Sequence, residues 1–104
     1  MNLAMLIDFR SVLIGRSLMT KARQAEFRIL NVSEDGVRIR QQSSDKERPI
    51  RLVEIELMGE RWNEFKAGLV TRAELANGNP KIFNTSYLES IFLEVEGHQT
   101  LANA

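Results

Sequence analysis

Apolar residues Leu3, Leu6, Ile7, Phe9, Leu13 and Ile14 recur at roughly helical spacing, and Gly15 supplies a stop, so the pattern predicts a helix over residues 3–13. Met5 and Val12 widen its apolar surface almost all the way round. Such a helix suits a place between other elements or across a subunit interface, and a strand is the alternative. Between residues 25 and 41, two β-type runs flank Asp35-Gly36, a strong hairpin signal because glycine tolerates the positive φ of a tight turn. Pairing across a two- or four-residue loop puts Leu30, Val32, Val37 and Ile39 on one face. Arg38, Arg40, Phe27 and Ile29 then lie on the other, which the N-terminal helix is expected to cover. A further short strand is expected near residues 17–20. The run QSSDKER over residues 42–48 holds no core-forming side chain and predicts an exposed loop ended by Pro49. A third strand over residues 50–52, with Arg51 pointing away from Ile50 and Leu52, closes a meander.

Helical spacing replaces alternation after Arg51. Ile55, Met58, Trp62, Phe65 and Leu69 form one stripe, predicting a helix from residue 53 that Gly59 weakens by ~1 kcal/mol relative to alanine and Gly68 ends. Thr71 and Glu74 have the spacing of a capping box and start a second helix that runs out at Asn77-Gly78. A third helix starts at Thr85 or Ser86, with Ser86 and Glu89 as a second capping box. It turns Leu88, Ile91, Phe92 and Val95 inward and ends near Gly97. Residues 98–104 have little to bury and are expected to form a flexible tail. The result is a single α+β domain over residues 1–97, with an N-terminal helix, a small antiparallel β-meander and three C-terminal helices in a winged-helix-like order.

The 104 residues leave room for one core, and a 43% hydrophobic content is ordinary for a folded domain. Acidic and basic residues balance at 14 each, but unevenly along the chain. Residues 1–51 hold ten Lys and Arg against six Asp and Glu, and residues 52–104 four against eight, so the halves carry plus four and minus four. The absence of cysteine excludes disulfides, thiol nucleophiles and thiolate metal sites, and accords with a cytoplasmic location. The apolar run over residues 3–14 falls short of the ~20 residues of a membrane span and has no cleavage site, so it reads as a packing element and no membrane is expected. His98 is the single histidine, and no metal site or cofactor is expected. Glu54, Glu56, Glu60 and Glu64 beside Arg61 and Lys66 read as a solvated helix face with ion pairs of ~0.3–0.5 kcal/mol each. With no nucleophile-plus-base set in view, no enzyme is expected.

The hairpin around Asp35-Gly36, the short basic strand, the helix ending in glycine, the Thr-Arg-x-Glu helix start and the Ser-Tyr of the last helix resemble small β-plus-helix, winged-helix-like modules that accompany nucleases of restriction and other defence systems. The matching positions are Phe27, Asp35, Gly36, Ile50, Trp62, Leu69, Thr71, Arg72, Glu74, Leu75, Ser86 and Tyr87, within residues 17–95. The resemblance implies an accessory module, without enzymatic activity, that binds duplex nucleic acid. On the residues themselves, Arg38, Arg40 and Arg51, joined by Lys46 and Arg48 of the loop, are candidates for phosphate contact along one sheet face, although alternating arginines also mark any solvated strand. Asn84, Thr85, Ser86 and Tyr87, with nearby Lys81, are candidates at the start of the last helix, where backbone amides favour an anion. Two features depart from the pattern: residues 76–84 make a connection longer than the ~3–4 residues of a helix-turn-helix joint, and Glu89, Glu94 and Glu96 would repel phosphate. The alternative is a protein-interaction module, a small inhibitor or adaptor docking on a larger protein through its dissimilar halves. The apolar N-terminal helix is in either case a candidate homodimer seam.

Overall fold

One tight turn and one extra residue shape the sheet. β2 (Glu26–Ser33) and β3 (Gly36–Gln41) pair antiparallel, with Ser33 opposite Gly36, so only Glu34 and Asp35 form the loop. Gly36 has a φ of +133°, and a Cβ there would collide with the Ile50 carbonyl oxygen, so glycine is required twice over. β1 (Ser17–Met19) pairs with β2, and β4 (Glu47–Arg51) with β3, giving an antiparallel meander in the order β1-β2-β3-β4. The computed structural model describes residues 1–102, and six helices accompany the sheet among them, so the fold is α+β.

The register corrects the expected sheet faces. Ile29 lies opposite Ile39 and Asn31 opposite Arg38, so Leu30 is the extra residue of a β-bulge. The bulge switches the inward parity of β2. Phe27 and Ile29 before it and Val32 after it all join Val37, Ile39 and Ile50 in the core, leaving Arg28, Arg38 and Arg40 on the outer face. Only one face is apolar, and the N-terminal segment does not have a second one to cover. Its helix is broken at Phe9 into α1 (Leu3–Asp8) and α2 (Arg10–Leu13), whose Leu3, Leu6 and Leu13 enter the same core. The third strand also starts earlier than expected: β4 includes Pro49, tolerated because β4 is an edge strand, while Leu52 already begins a helix.

The long helix expected after residue 53 is two helices, α3 (Leu52–Glu60) and α4 (Trp62–Lys66), with the break at Arg61. A Cβ on Gly59 would collide with the Met1 carbonyl oxygen, so this glycine lets the N-terminus cross α3 closely. Ile55, Met58 and Trp62 keep the predicted inward stripe, but α4 stops at Lys66 and the chain turns at Gly68, leaving Leu69 75% exposed and Val70 4% exposed. α5 (Arg72–Ala76) starts with the expected Thr71–Glu74 capping box. α6 (Thr85–Ala102) passes through Gly97 and reaches Ala102; of the expected tail, residues 98–102 are helical and 103–104 lie outside the described residues.

α6 is the spine of the core. Its Leu88, Ile91, Phe92 and Val95 are completely buried, as their spacing predicts, each stabilising the fold by ~1.5–3 kcal/mol through burial. Trp62 meets Phe92 edge-on at 5.1 Å between ring centroids and stacks on Phe65 at 5.7 Å. Glu89 does not form the expected capping box with Ser86. It lies 6% exposed and accepts two hydrogen bonds from Arg72, at 2.7 and 2.8 Å, which fasten α5 to α6. That hydrogen bonding, with the attraction of the carboxylate and against the effect of burial, raises the guanidinium above its ordinary proton affinity. Glu94 pairs with Arg16 at 3.0 Å and Glu96 with Lys66 at 2.6 Å. All three glutamates expected to repel phosphate therefore face cations of the chain itself. No helix among the described residues is long and apolar enough to cross a membrane.

Candidate anion-binding cleft

Of the amides expected to attract an anion at the start of α6, that of Asn84 already serves a carboxylate of the chain itself. Glu54, read from its helix as solvated, is 1% exposed. Its carboxylate accepts hydrogen bonds from the amides of Phe83 at 2.8 Å and Asn84 at 3.1 Å, and from Asn84 Nδ2 at 3.0 and 3.1 Å. It also accepts from the Arg51 amide at 3.3 Å, with Arg51 Nε 3.8 Å away. One carboxylate thus serves the starts of α3 and α6, where unsatisfied amides and the helix dipoles both favour negative charge. Glu56 and Glu60 remain exposed, as expected. The consequence for the candidate residues is direct: Asn84 and Thr85 are buried, at 4% and 5% exposure, and are engaged within the fold, Thr85 donating its hydroxyl to the Ile82 carbonyl.

Beside this clasp, three segments meet at one end of the sheet and enclose a cleft of about 550 Å³. The β1–β2 loop supplies Thr20, Arg23 and Ala25. The end of β3, the β3–β4 loop and the start of β4 supply Gln41, Ser43, Ser44 and Arg48, and the entry to α6 supplies Phe83, Ser86 and Tyr87. Each segment is tied down. Thr20, 3% exposed, closes its loop by donating its amide to the Ala25 carbonyl, accepting the Ala25 amide on its hydroxyl and accepting the Gln24 amide on its carbonyl. Gln41 donates from Nε2 to the Tyr87 hydroxyl at 2.7 Å and accepts from the Ser44 hydroxyl at 3.0 Å, linking the hairpin to α6. Tyr87 meets Phe27 edge-on at 5.0 Å, and its face supports the Arg48 guanidinium at 5.9 Å from the ring centroid.

The electrostatics of the cleft are one-sided. Arg23 and Arg48 have no carboxylate within ion-pair distance among the described residues, and none of the lining residues is acidic. Serine and tyrosine hydroxyls intersperse the two guanidinium groups. This combination of cations without carboxylate partners, hydroxyl groups and a concave surface can bind phosphate oxygens. No group of three or more His, Asp or Glu residues able to hold a metal ion occurs among the described residues.

Of the sequence-predicted candidates, Arg48, Ser86 and Tyr87 come together here. Arg48 therefore does not share a face with Arg38 and Arg40. It lies opposite Ile39 in the register, on the helix side of the sheet, because strand alternation separates it from Glu47 and Pro49. Arg38 and Arg40 are exposed on the outer face, where Glu47 approaches them at 3.9 and 3.5 Å and Asp45 approaches Arg40 at 3.7 Å. Arg51 stands at the β4–α3 junction beside Glu54, Lys46 is exposed in the β3–β4 loop, and Lys81 is exposed ahead of α6. Sequence reading missed Arg23, Gln41, Ser43, Ser44 and Phe83 as site residues. The signal was topological: in an antiparallel meander the β1–β2 and β3–β4 turns fall at the same end of the sheet, so the mostly polar stretches 21–24 and 42–46 are neighbours. Neither a protein-family profile, nor a curated protein sequence, nor a solved structure matches the chain.

Proposed function

We propose that the chain is a non-enzymatic accessory module that holds the phosphate backbone of duplex nucleic acid at the loop end of its sheet. The carrying observation is the convergence of Arg23 and Arg48, both without carboxylate partners, on an acid-free cleft lined by hydroxyls. The surrounding charge agrees in sign. Residues 20–28 and 40–48, which form this end of the sheet, include Lys21, Arg23, Arg28, Arg40, Lys46 and Arg48 against Glu26, Asp45 and Glu47. Lys46 and, on the outer face, Arg40 and Arg38 serve as secondary phosphate contacts, while the start of α6 contributes Ser86 and Tyr87. Contacts of this kind give affinity without sequence selectivity. A partnership with a nuclease, implied by the resemblance of the sequence, supplies the biological setting of this reading. Pairing of two copies through the N-terminal segment, where Ile14 is 42% exposed, strengthens binding by avidity.

Fluorescence anisotropy with a labelled duplex at low salt tests the reading. The expected result is binding that weakens steeply with added salt, and an Arg23→Ala/Arg48→Ala variant that binds at least about tenfold more weakly with a log–log salt slope shallower by ~2, the value for two lost phosphate contacts. No binding at low salt, or a double variant that binds like the parent, refutes it.

A further inference from the structure

The cleft differs from the outer sheet face in being concave and in carrying an exposed aromatic ring, and a duplex backbone has no use for the ring. Its volume of about 550 Å³ falls within the ~300–1,000 Å³ of sites that enclose small ligands. Phe83 is 67% exposed although its neighbours Ile82 and Asn84 are 2% and 4% exposed and its own amide is fastened to Glu54 at 2.8 Å. A phenyl ring held in water on so fixed a base forgoes the burial available to a side chain of its size. Tyr87 is not equivalent to it, because its hydroxyl, edge and face are taken by Gln41, Phe27 and Arg48.

We infer that the cleft takes one unpaired nucleotide, at a strand end or in a single-stranded overhang beside the duplex, with its base against Phe83 and its phosphate between Arg23 and Arg48. The hydroxyls of Ser43 and Ser86 face the sugar and phosphate oxygens. A stacked aromatic next to paired cations is the usual means of holding an unpaired base without reading its identity, since every base presents a flat face. Within a duplex the same faces are covered by neighbouring base pairs, so the ring has nothing to stack on. This inference rests on the nucleic-acid reading above and adds the unpaired nucleotide to it.

The test compares a blunt duplex with the same duplex carrying a short single-stranded overhang, at fixed salt, by anisotropy. The full chain is expected to bind the overhang duplex about tenfold more tightly, the size of one base–aromatic stack. Phe83→Ala brings the overhang-to-blunt affinity ratio to about one, and Phe83→Tyr, which keeps a stacking ring, retains the preference. Equal affinity for both duplexes, or a preference that survives in Phe83→Ala, overturns the inference while leaving the backbone-binding reading standing. Failure to bind either duplex overturns both.

Discussion

Replacing Glu54 with alanine removes the acceptor shared by two helix starts. The substitution strands four donors: the amides of Arg51, Phe83 and Asn84 and the Asn84 side-chain amide. The bonds from the Arg51 and Phe83 amides are only part-buried, so water replaces the carboxylate there at a cost of about 0.5 kcal/mol each. Both donors of Asn84, which is 4% exposed, lose a partner in a site water does not easily reach, at ~1–3 kcal/mol each. The sum is ~3–7 kcal/mol, and relief from holding a buried carboxylate returns part of it, leaving an expected loss of about 3 kcal/mol. The protein has a single tryptophan, Trp62, 2% exposed in the core, so its emission reports global unfolding in urea. At an m-value of ~1–1.5 kcal/mol/M the midpoint falls by about 2–3 M. Glu54→Gln, which keeps one acceptor oxygen but turns an NH₂ toward donors, falls between. Glu56→Ala, on an exposed position of the same helix, stays within about 0.5 kcal/mol of the parent. If Glu54→Ala proves no more than 1 kcal/mol worse than Glu56→Ala, on the same ~0.5 kcal/mol scale of surface substitutions, the clasp does not hold the start of α6.

Other substitutions probe separate features. Gly36→Ala places a Cβ against the Ile50 carbonyl at a positive φ and is expected to lower stability by ~2–3 kcal/mol in the same urea assay. Arg72→Met leaves the buried Glu89 carboxylate without its partner; because the Arg72 side chain is 40% exposed and water reaches the pair, the expected loss is about 2 kcal/mol rather than the ~3–5 of a fully buried pair. Arg72→Met/Glu89→Met is expected to recover most of that loss, and a double variant as unstable as the single one refutes the account. Leu69→Ala leaves the midpoint within error and Val70→Ala lowers it clearly; the reverse order would contradict the end of α4 at Lys66 and the turn at Gly68.

Features specified by neighbouring residues were legible in the sequence. Asp35-Gly36 announced the turn, Thr71 and Glu74 the capping box, and Leu88, Ile91, Phe92 and Val95 the buried face of α6, because each depends on spacing within one segment. What escaped depends on contacts between distant segments. Strict alternation cannot reveal the bulge at Leu30, since the residue that breaks it is itself apolar. The close pass of Met1 over Gly59 is invisible without the path of the N-terminus, and so is the split of α3 from α4. Glu54 looks like one of several helix carboxylates until residues 83 and 84 arrive with donors and no other acceptor. The cleft was half legible: Arg48, Ser86 and Tyr87 stood out through charge and position, whereas Arg23 acquires meaning only when two turns are brought to the same end of the sheet.

The extra residue in β2 acts as a frame-shift for side-chain direction. Odd-numbered positions up to Ile29 point to the interior, and even-numbered ones do from Val32 onward. Ironing Leu30 into the ladder would therefore turn Phe27 and Ile29 outward and draw Arg28 inward beneath the helices, whereas deleting it would leave Phe27, Ile29 and Val32 in unbroken alternation on the inner face. Exclusion of that one residue from the pairing keeps both halves of the strand dry on the same side.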